Sequence, residues 1–495
     1  MLKKKIFTNT VFSVASQIVM LGFGVLLARI LFPDDFGVFA ISLLFVELAS
    51  HFTLGGFSTA IVQKKEFDES YFGTVFFFGL CVSLCLGAVI FVKAPSIAHY
   101  FRMQGLERLL RWHVVVLAIV PMRLICSAKL YRDLKFKELG SGWLFSEIVK
   151  GIGAISFAFF GFGALSLVFG EILKALSMTL AYFYYKGKTS YRFFLSPNLG
   201  ALRKLSHVGT GVMWQNIFSY AAGNADYFLL GKLTAASTLG FYKRAFGLMK
   251  LPVQQISRNV SGVLIPAFSR IQDDNKKIIH QLLKATQASS VIVFPLFLVL
   301  YIYAPSLMLA VYGERWMPSV VPLRILIFAG AIKAVSTYIG DVLKAKGVVY
   351  REALVQLGYV LILLIAGFFA VKQWSMIGIS FVVVFASLVV WTLMIAILHA
   401  VLNISIRKYL RIFIPSLFIC ALLFAWNIFI KYALRISGVN IFYTAAGMLS
   451  SLILYVYVTF RIKNSTLFSS EINKLQKIIF RPFRKFKKSV RKRTK

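Results

Sequence analysis

About fourteen apolar runs, each close to twenty residues long, follow one another along this chain and are separated by short polar turns. A helix of that length crosses the roughly 30 Å hydrocarbon core of a bilayer. Hydrophobic residues make up 59% of the chain and the mean hydropathy is +0.77, which is too apolar for one soluble core. The sequence therefore predicts an all-α polytopic membrane protein with about fourteen transmembrane helices.

One helical hairpin occurs twice. The segment from Leu26 to Phe39 aligns without a gap on the segment from Leu229 to Tyr242, and Leu230 lies 203 positions after Leu27, as Gly240 does after Gly37. Such a repeat is typical of transporters built from two similar halves. We predict two pseudo-symmetric six-helix bundles around a central cavity, plus two extra C-terminal helices. The predicted parts are an N-terminal lobe (1–186), a cytoplasmic linker (187–204), a C-terminal lobe (205–400), two extra transmembrane helices (401–462) and a basic cytoplasmic tail (463–495).

The net charge of +38 can be interpreted only from the positions of the 56 Lys and Arg along the chain. With the N-terminus inside, 37 fall in inner segments and 10 in outer loops, so the positive-inside rule predicts both termini in the cytoplasm. The tail RPFRKFKKSVRKRTK, from Arg481, suits contact with anionic lipids, and nucleic-acid binding is the alternative that we do not favour.

Motifs for enzymatic chemistry are missing from the sequence. It contains no GxxxxGK[ST] phosphate loop, no HExxH and no GxSxG, and no outer loop is long enough for a catalytic domain. The four cysteines fall inside apolar runs without metal-ligand spacing and are expected to be buried, reduced thiols. We therefore expect no catalytic residues, no metal and no cofactor.

Nine cations remain inside the predicted spans, where each costs on the order of 2.5–3.5 kcal/mol at a helix centre. Several have a simple explanation. Lys243, Arg244 and Arg324 lie near the outer ends of their spans and Arg123 toward the inner end, so snorkelling to the interface accounts for them. For two others the alternative is a local ion pair three residues away, Lys150 with Glu147 and Lys174 with Glu171.

Lys250, Arg258 and Lys333 are deeper and have no acid within four residues on their own helix. At 100° per residue, Lys243, Lys250 and Gln254 form one polar stripe along the eighth span, with Arg258 close to it. Cations lining a cavity suit an anionic substrate such as a phosphate or diphosphate. The candidate substrate-binding residues are Lys250, Arg258, Lys333, Lys174, Lys150, Arg123 and Gln254.

Five acids lie in the spans, namely Glu47, Glu147, Glu171, Asp226 and Asp341. Glu47 is near the membrane midplane and His51 is one helical turn away, so the two could load and release a proton or form an inert hydrogen-bonded pair. In the register of the repeat, Lys250 corresponds to Glu47 and Gln254 to His51. We predict that an acidic pair in one half faces a cation and an amide in the other.

Five segments of the chain form a recognisable set: LARILFPDDFGVFAISLLF, GGFSTAIVQKKE, YRDLKFKEL, GFYKRAFGLMKLPVQQISRNVSGVLIPAFSRIQDD and YGERWMPSVVPLRIL. They resemble bacterial polysaccharide exporters, in particular the colanic-acid-exporter branch of the Wzx-type flippases in the multidrug/oligosaccharidyl-lipid/polysaccharide superfamily. The resemblance covers roughly residues 1 to 460 and implies two six-helix bundles that open alternately to either side of the bacterial inner membrane. It also implies a flippase for undecaprenyl-diphosphate-linked oligosaccharide in lipopolysaccharide, exopolysaccharide or capsule synthesis, with a glycan polymerase as a further partner. Related drug exporters use an acid in the first span for ion coupling, and because residues 9–31 contain none, Glu47, His51 and Asp226 are the coupling candidates here.

Two other classes fit the sequence less well. An exporter of cationic drugs would need an acidic cavity, whereas the spans hold nine cations and five acids. A polymerase or ligase that joins sugar chains would need a sizeable outer loop, which the chain does not have.

Overall fold

The computed structural model of the protein describes residues 2–54, 56–63, 70–186, 198–433 and 441–462. Within these ranges every regular element is a helix, as the apolar runs predict. Most of the predicted linker and the whole basic tail lie outside the described residues, so the lipid contact of the tail stays a prediction. The part of the linker that is described already belongs to a helix, which begins at Leu199.

Eighteen α-helices follow in chain order along the described residues. They are α1 (Leu2–Ile30), α2 (Pro33–Leu54), α3 (Phe57–Gln63), α4 (Ser70–Phe101), α5 (Leu106–His113), α6 (Val115–Arg132), α7 (Phe136–Phe159), α8 (Ala164–Lys186), α9 (Leu199–Leu233), α10 (Ala236–Pro252), α11 (Arg258–Arg270), α12 (Asn275–Ile302), α13 (Ala304–Leu307), α14 (Val320–Ala345), α15 (Val349–Leu402), α16 (Ile406–Arg411), α17 (Ile414–Ala433) and α18 (Ile441–Ile462).

Ten described segments are long and apolar enough to cross a membrane. Three further predicted crossings fall on α9, on α18, and on α10 together with α11. The break between α10 and α11 makes each of these two helices too short to cross alone. One more crossing comes from α15, which counts as two because its 54 residues far exceed the thickness of one bilayer and its chain turns at Ser375 (φ 52°, ψ −133°). The chain is therefore a multi-pass membrane protein with about fourteen crossings.

The repeated hairpin is present as predicted. The helices α1 and α9 end at Ile30 and Leu233, and α2 and α10 begin at Pro33 and Ala236, so both pairs of boundaries differ by 203. The first turns of α2 and α10 pack backbone against backbone: a Cβ at Gly37 would lie 1.8 Å from the Ala236 carbonyl oxygen, and one at Gly240 would lie 2.0 Å from that of Pro33. These two contacts are images of each other in the register of the repeat. Only glycine permits such an approach.

The eighth predicted span is not a regular helix. Its first part, α10, ends at Pro252, five π-helical residues follow at Val253–Ser257, and α11 begins at Arg258. Proline removes a backbone donor and favours such a break. The 100° spacing behind the predicted polar stripe therefore holds only as far as Pro252. Pro121, Pro266 and Pro295, by contrast, lie inside continuous helices.

The helices form two compact units. The first comprises Met1–Arg244, Val311–Trp316 and Leu363–Ile379, and the second comprises Ala245–Ala310, Met317–Ile362 and Ser380–Lys495. The helix α9 and the first turns of α10, which the repeat assigns to the second lobe, pack within the first unit. The predicted lobe boundaries follow the sequence repeat and stay a prediction.

In the first unit, α7 lies between α1 and α8 because its glycines allow close contact. A Cβ at Gly151 would lie 2.1 Å from the ring of Phe23 on α1. A Cβ at Gly153 would lie 2.2 Å from Leu173 on α8, and one at Gly170 of α8 would lie 2.9 Å from Ala154. This packing brings the polar side chains of α7 opposite those of α8.

In the second unit, α17 and α18 are held to α12 and α13 by buried polar contacts. The Tyr303 hydroxyl donates a hydrogen bond to Asn427 Oδ1, and Asn427 Nδ2 donates to Ser451 Oγ at 3.0 Å. The hydroxyls of Ser290 on α12 and Ser416 on α17 are 2.7 Å apart. The two extra helices are thus fixed to the second unit by hydrogen bonds that lipid cannot replace.

Outside the membrane, the N-terminus of α12 is capped by Asp274, whose carboxylate accepts a hydrogen bond from Lys277 N at 3.0 Å. The Lys277 backbone N–H and its ammonium hold the pKa of Asp274 below its usual value.

The expectation of four buried thiols was wrong for two of them. Cys126 is buried, but Cys81 and Cys85 are exposed on α4. Both lie within the candidate membrane span Tyr71–Phe101, where a membrane would supply apolar surroundings.

Candidate functional site: charged side chains within the helix bundle

The acids and lysines of α7 and α8 pair across the two helices. Lys150 Nζ contacts Glu171, and Lys174 Nζ lies 2.6 Å from Glu147 Oε1. The spacing of three residues had suggested pairs within each helix, Lys150 with Glu147 and Lys174 with Glu171. That interpretation was wrong, because the close α7–α8 packing presents each lysine to the acid on the opposite helix.

These pairs lie deep in the bundle. Counted from the α7–α8 turn at 1.5 Å per residue, Glu171 is about 10 Å along α8 and Lys150 about 13 Å back along α7. The Glu147 side chain is 2% exposed, and its Oε1 also accepts a hydrogen bond from Trp143 Nε1 at 3.0 Å. Its Oε2 has no hydrogen-bond partner among the described residues.

Three further ionisable groups approach the same place from other helices. Lys243 of α10 and Glu47 of α2 each interact electrostatically with Glu171, and Lys243 also with Glu47. His113, at the end of α5, interacts electrostatically with Glu171, Lys150 and Lys243. We name the six residues Glu47, Glu147, Lys150, Glu171, Lys174 and Lys243 the charge cluster. It contains three carboxylates and three ammonium groups.

His113 was missed in the sequence, although a signal exists. The short helix α5 buries Leu106, Leu109, Leu110 and His113, which follow the i, i+3, i+4, i+7 spacing of one helix face. The imidazole is 1% exposed, and its Nδ1 lies 2.9 Å from Ser42 Oγ. It also stacks on Phe39, with 5.7 Å between ring centroids. A histidine at the buried position of an amphipathic helix could have been recognised.

The predicted pair of Glu47 and His51 is brought together by Tyr220 of α9. Tyr220 interacts electrostatically with the Glu47 carboxylate, and its hydroxyl donates a hydrogen bond to the Leu44 carbonyl oxygen at 3.3 Å. Its ring centroid lies 5.0 Å from that of His51. Glu47 itself is exposed on α2, and His51 is half-buried. The two candidates therefore share one aromatic neighbour.

Asp226, the third coupling candidate, is buried at 2% exposure. Its Oδ2 accepts a hydrogen bond of 2.7 Å from the Tyr242 hydroxyl, and Oδ1 accepts one of 3.0 Å from Tyr227 N. These contacts join α9 to α10, so the arrangement favours a structural role for Asp226.

Arg123, on α6, is half-buried and points a guanidinium nitrogen at Met178 Sδ, 4.0 Å away.

The sequence suggested that Arg244 snorkels to the membrane interface, but in the structure its guanidinium packs among aromatic rings. Its guanidinium lies over three rings, with centroid distances of 4.6 Å to Phe36, 4.8 Å to Tyr312 and 5.0 Å to Trp316. Trp316 is fully buried and donates from Nε1 to the Ala28 carbonyl oxygen at 2.9 Å. Burial of a cation among aromatic faces replaces the interface as its stabilising surroundings. Lys243 likewise lies over Phe39, at 4.9 Å.

The second unit holds the other cationic candidates. On α14, Lys333 Nζ donates to the Tyr359 hydroxyl at 3.0 Å and lies over the rings of Tyr359 and Phe246, at 5.0 and 5.5 Å. Lys250 is exposed on the last turn of α10, four residues after Phe246. Gln254 is half-buried in the π-helical segment.

Two of the sequence-based proposals are not tested by this geometry. Arg258 begins α11, but its side chain lies outside the described residues. Glu47 belongs to the first unit and Lys250 to the second, so their predicted apposition stays a prediction.

Arg324, expected to snorkel, donates to the Tyr301 carbonyl oxygen at 3.2 Å. Across the described ranges, no three His, Cys, Asp or Glu side chains come together as metal ligands.

The fold is shared with solved membrane transporters. The lipid II flippase MurJ, in an inward closed conformation, superposes with a TM-score of 0.74 over 92% of this chain and 98% of its own, at 15% identity. A multidrug resistance MATE family transporter of the MOP superfamily, in an inward-facing conformation, gives a TM-score of 0.60 over 79% and 96%, at 16% identity. The molecule therefore has the same fold as these two solved membrane proteins.

The family follows from the sequence comparison. A family model described as "Polysaccharide biosynthesis protein" matches residues 26–321, more than half of the chain. The chain belongs to this polysaccharide biosynthesis protein family.

Named relatives agree with that assignment. The lipopolysaccharide biosynthesis protein WzxC of Escherichia coli (strain K12) is 23% identical over 70% of this chain and 71% of its own. The teichuronic acid biosynthesis protein TuaB of Bacillus subtilis (strain 168) is 24% identical over 72% and 74%. The succinoglycan biosynthesis transport protein ExoT of Rhizobium meliloti (strain 1021) is 26% identical over 59% and 58%.

Proposed function

We propose that this protein is a flippase that moves undecaprenyl-diphosphate-linked oligosaccharide repeat units from the cytoplasmic to the periplasmic face of the inner membrane. The observation that carries the proposal is the set of lysines held at membrane depth, Lys150 and Lys174 in the first unit and Lys333 in the second. Ammonium groups so far from the interface are energetically costly, and charged residues kept there usually have a function. A diphosphate is an anion that such groups bind. The relatives named for lipopolysaccharide, teichuronic acid and succinoglycan synthesis support a glycan cargo.

The proposal includes the orientation and the partners inferred from the sequence. Both termini lie in the cytoplasm, the basic tail contacts anionic lipids, and a glycan polymerase receives the flipped units. Transport proceeds by alternating access of two lobes. Lys250, Arg258, Lys333, Lys174, Lys150, Arg123 and Gln254 bind the diphosphate and the first sugars, while Glu47, His51 and Asp226 are the candidates for ion coupling.

The experiment is complementation of a strain from which the gene has been deleted. The intact gene should restore surface polysaccharide, and the deletion strain should accumulate undecaprenyl-diphosphate-linked repeat units inside the cell. Normal surface polymer in the deletion strain would refute the proposal.

Single substitutions in the same assay test whether individual lysines are needed for transport. Lys333→Ala should reduce surface polymer at least tenfold, because it removes a desolvated anion partner. Lys372→Ala is the matched control, since Lys372 is exposed and lies 4.2 Å from the centroid of the Phe368 ring, a cation–aromatic contact without depth. Equal polymer in both variants, at equal protein level, would remove Lys333 from the site.

A further inference from the structure

The two cross-helix pairs of the charge cluster differ in how they present their members. In the pair of Lys174 and Glu147, the lysine side chain is 21% exposed and the acid is 2% exposed. The lysine side chain is therefore partly accessible, whereas its carboxylate partner is buried. In the pair of Lys150 and Glu171 both side chains are partly exposed, at 24% and 18%. In both pairs the lysine side chain is more exposed than the carboxylate that it contacts.

Glu147 is anchored independently of its lysine. Trp143 Nε1 donates to Glu147 Oε1 at 3.0 Å from one turn away on α7. Since that hydrogen bond remains when Lys174 turns away, the carboxylate stays in position for the lysine to return. Glu147 Oε2, without a hydrogen-bond partner in the described part of the chain, adds acceptor capacity at the same point.

The cations of the pairs are lysines. A lysine ammonium is a compact charge on a flexible four-carbon stem, whereas arginine binds a carboxylate through a planar, two-pronged contact. A lysine can exchange one oxyanion for another by small rotations. The chemistry of both pairs thus suits an exchange of partners more than a permanent crosslink.

Four charged or titratable groups on other described helices interact electrostatically with the pairs. They are Glu47 of α2, His113 of α5, Arg123 of α6 and Lys243 of α10. His51 of α2 lies further off, against Tyr220. Without substrate, the three carboxylates and three ammonium groups of the cluster balance. A bound diphosphate diester adds one negative charge per phosphate, so its presence beside the released carboxylates is unfavourable at low dielectric.

We propose that Lys150 and Lys174 form an anion subsite for the diphosphate, and that Glu171 and Glu147 are built-in competitors that take the lysines back and discharge the substrate. The inference rests on the proposed function and adds a mechanism of release to it. Without a competitor, two desolvated lysines would hold a diphosphate too tightly to let it go. The carboxylates limit the affinity and so allow turnover.

The test uses the full-length protein in lipid nanodiscs for binding and in liposomes for flipping, with an NBD-labelled prenyl diphosphate as the probe. Glu171→Gln and Glu147→Gln should each bind the probe about tenfold more tightly than the native protein and flip it more slowly. Lys150→Ala together with Lys174→Ala should lose binding. Glu107→Gln, in the exposed Glu107–Arg111 pair, is the matched control and should change neither quantity.

The outcomes separate the inference from the function. If the native protein flips the probe and the Gln variants match it in affinity and rate, the competition mechanism is wrong and the flippase stands. If folded Gln variants lose binding, the carboxylates position the lysines and do not compete, which also overturns the inference. If the native protein neither binds nor flips the probe, both fail. Glu171→Asp, which keeps the charge, should restore release and distinguishes competition from a folding defect.

Discussion

The cross-helix pairing of α7 and α8 can be tested by exchanging charges. Lys150→Glu replaces the ammonium that contacts Glu171 with a third carboxylate beside Glu171 and Glu147. Breaking a buried pair typically costs 3–5 kcal/mol, and because both members are partly exposed, at 24% and 18%, we expect about 3 kcal/mol here. Adding Glu171→Lys reverses the pair across the helices and should recover most of that loss. Adding Glu147→Lys instead restores only a same-helix pair and places like charges opposite each other on both sides, so it should recover nothing.

The measurement is thermal unfolding of the full chain in detergent, followed by tryptophan fluorescence and by size-exclusion chromatography. The order of the apparent unfolding temperatures is the result that counts, with the native protein highest, the Lys150→Glu, Glu171→Lys double variant next, and the other two lowest. Arg111→Glu, in an exposed pair worth at most about 1 kcal/mol, controls for charge change alone. Rescue by Glu147→Lys and not by Glu171→Lys would refute the cross-helix pairing.

Three more predictions concern the packing that supports these charges. Gly37→Ala should lower the unfolding temperature, because its Cβ would lie 1.8 Å from a backbone oxygen and overpacking costs about 1–3 kcal/mol or more; Gly22→Ala, with nothing within 4 Å, should be neutral or stabilising in the same melt. Trp316→Phe should cost about 1–3 kcal/mol by leaving the Ala28 carbonyl without its donor, and undiminished stability would contradict the contact. Asn427→Leu should loosen α17 and α18, seen as faster proteolysis between them, whereas an unchanged cleavage rate would show that apolar packing alone holds these helices.

The sequence alone determined the class of fold and the boundaries of the repeat. Apolar runs of membrane-spanning length specify helices because lipid offers no partner for an unpaired backbone group. The matching ends of the two hairpins, at Ile30 and Leu233, were visible as a 203-residue register. The depth of the charges along each helix followed from counting residues.

Which partner each charge meets was decided by the tertiary structure alone. Spacing along one helix suggested Lys150 with Glu147, yet Lys150 contacts Glu171, because the glycines of α7 and α8 bring the two helices close enough for their side chains to interlock. The same holds for Arg244, whose position near a helix end suggested snorkelling and which is held over the Trp316 ring by a segment far along the chain. Local spacing sets which side of a helix a residue occupies, but the rotation and separation of neighbouring helices set what that side faces, and these depend on packing between residues distant in sequence.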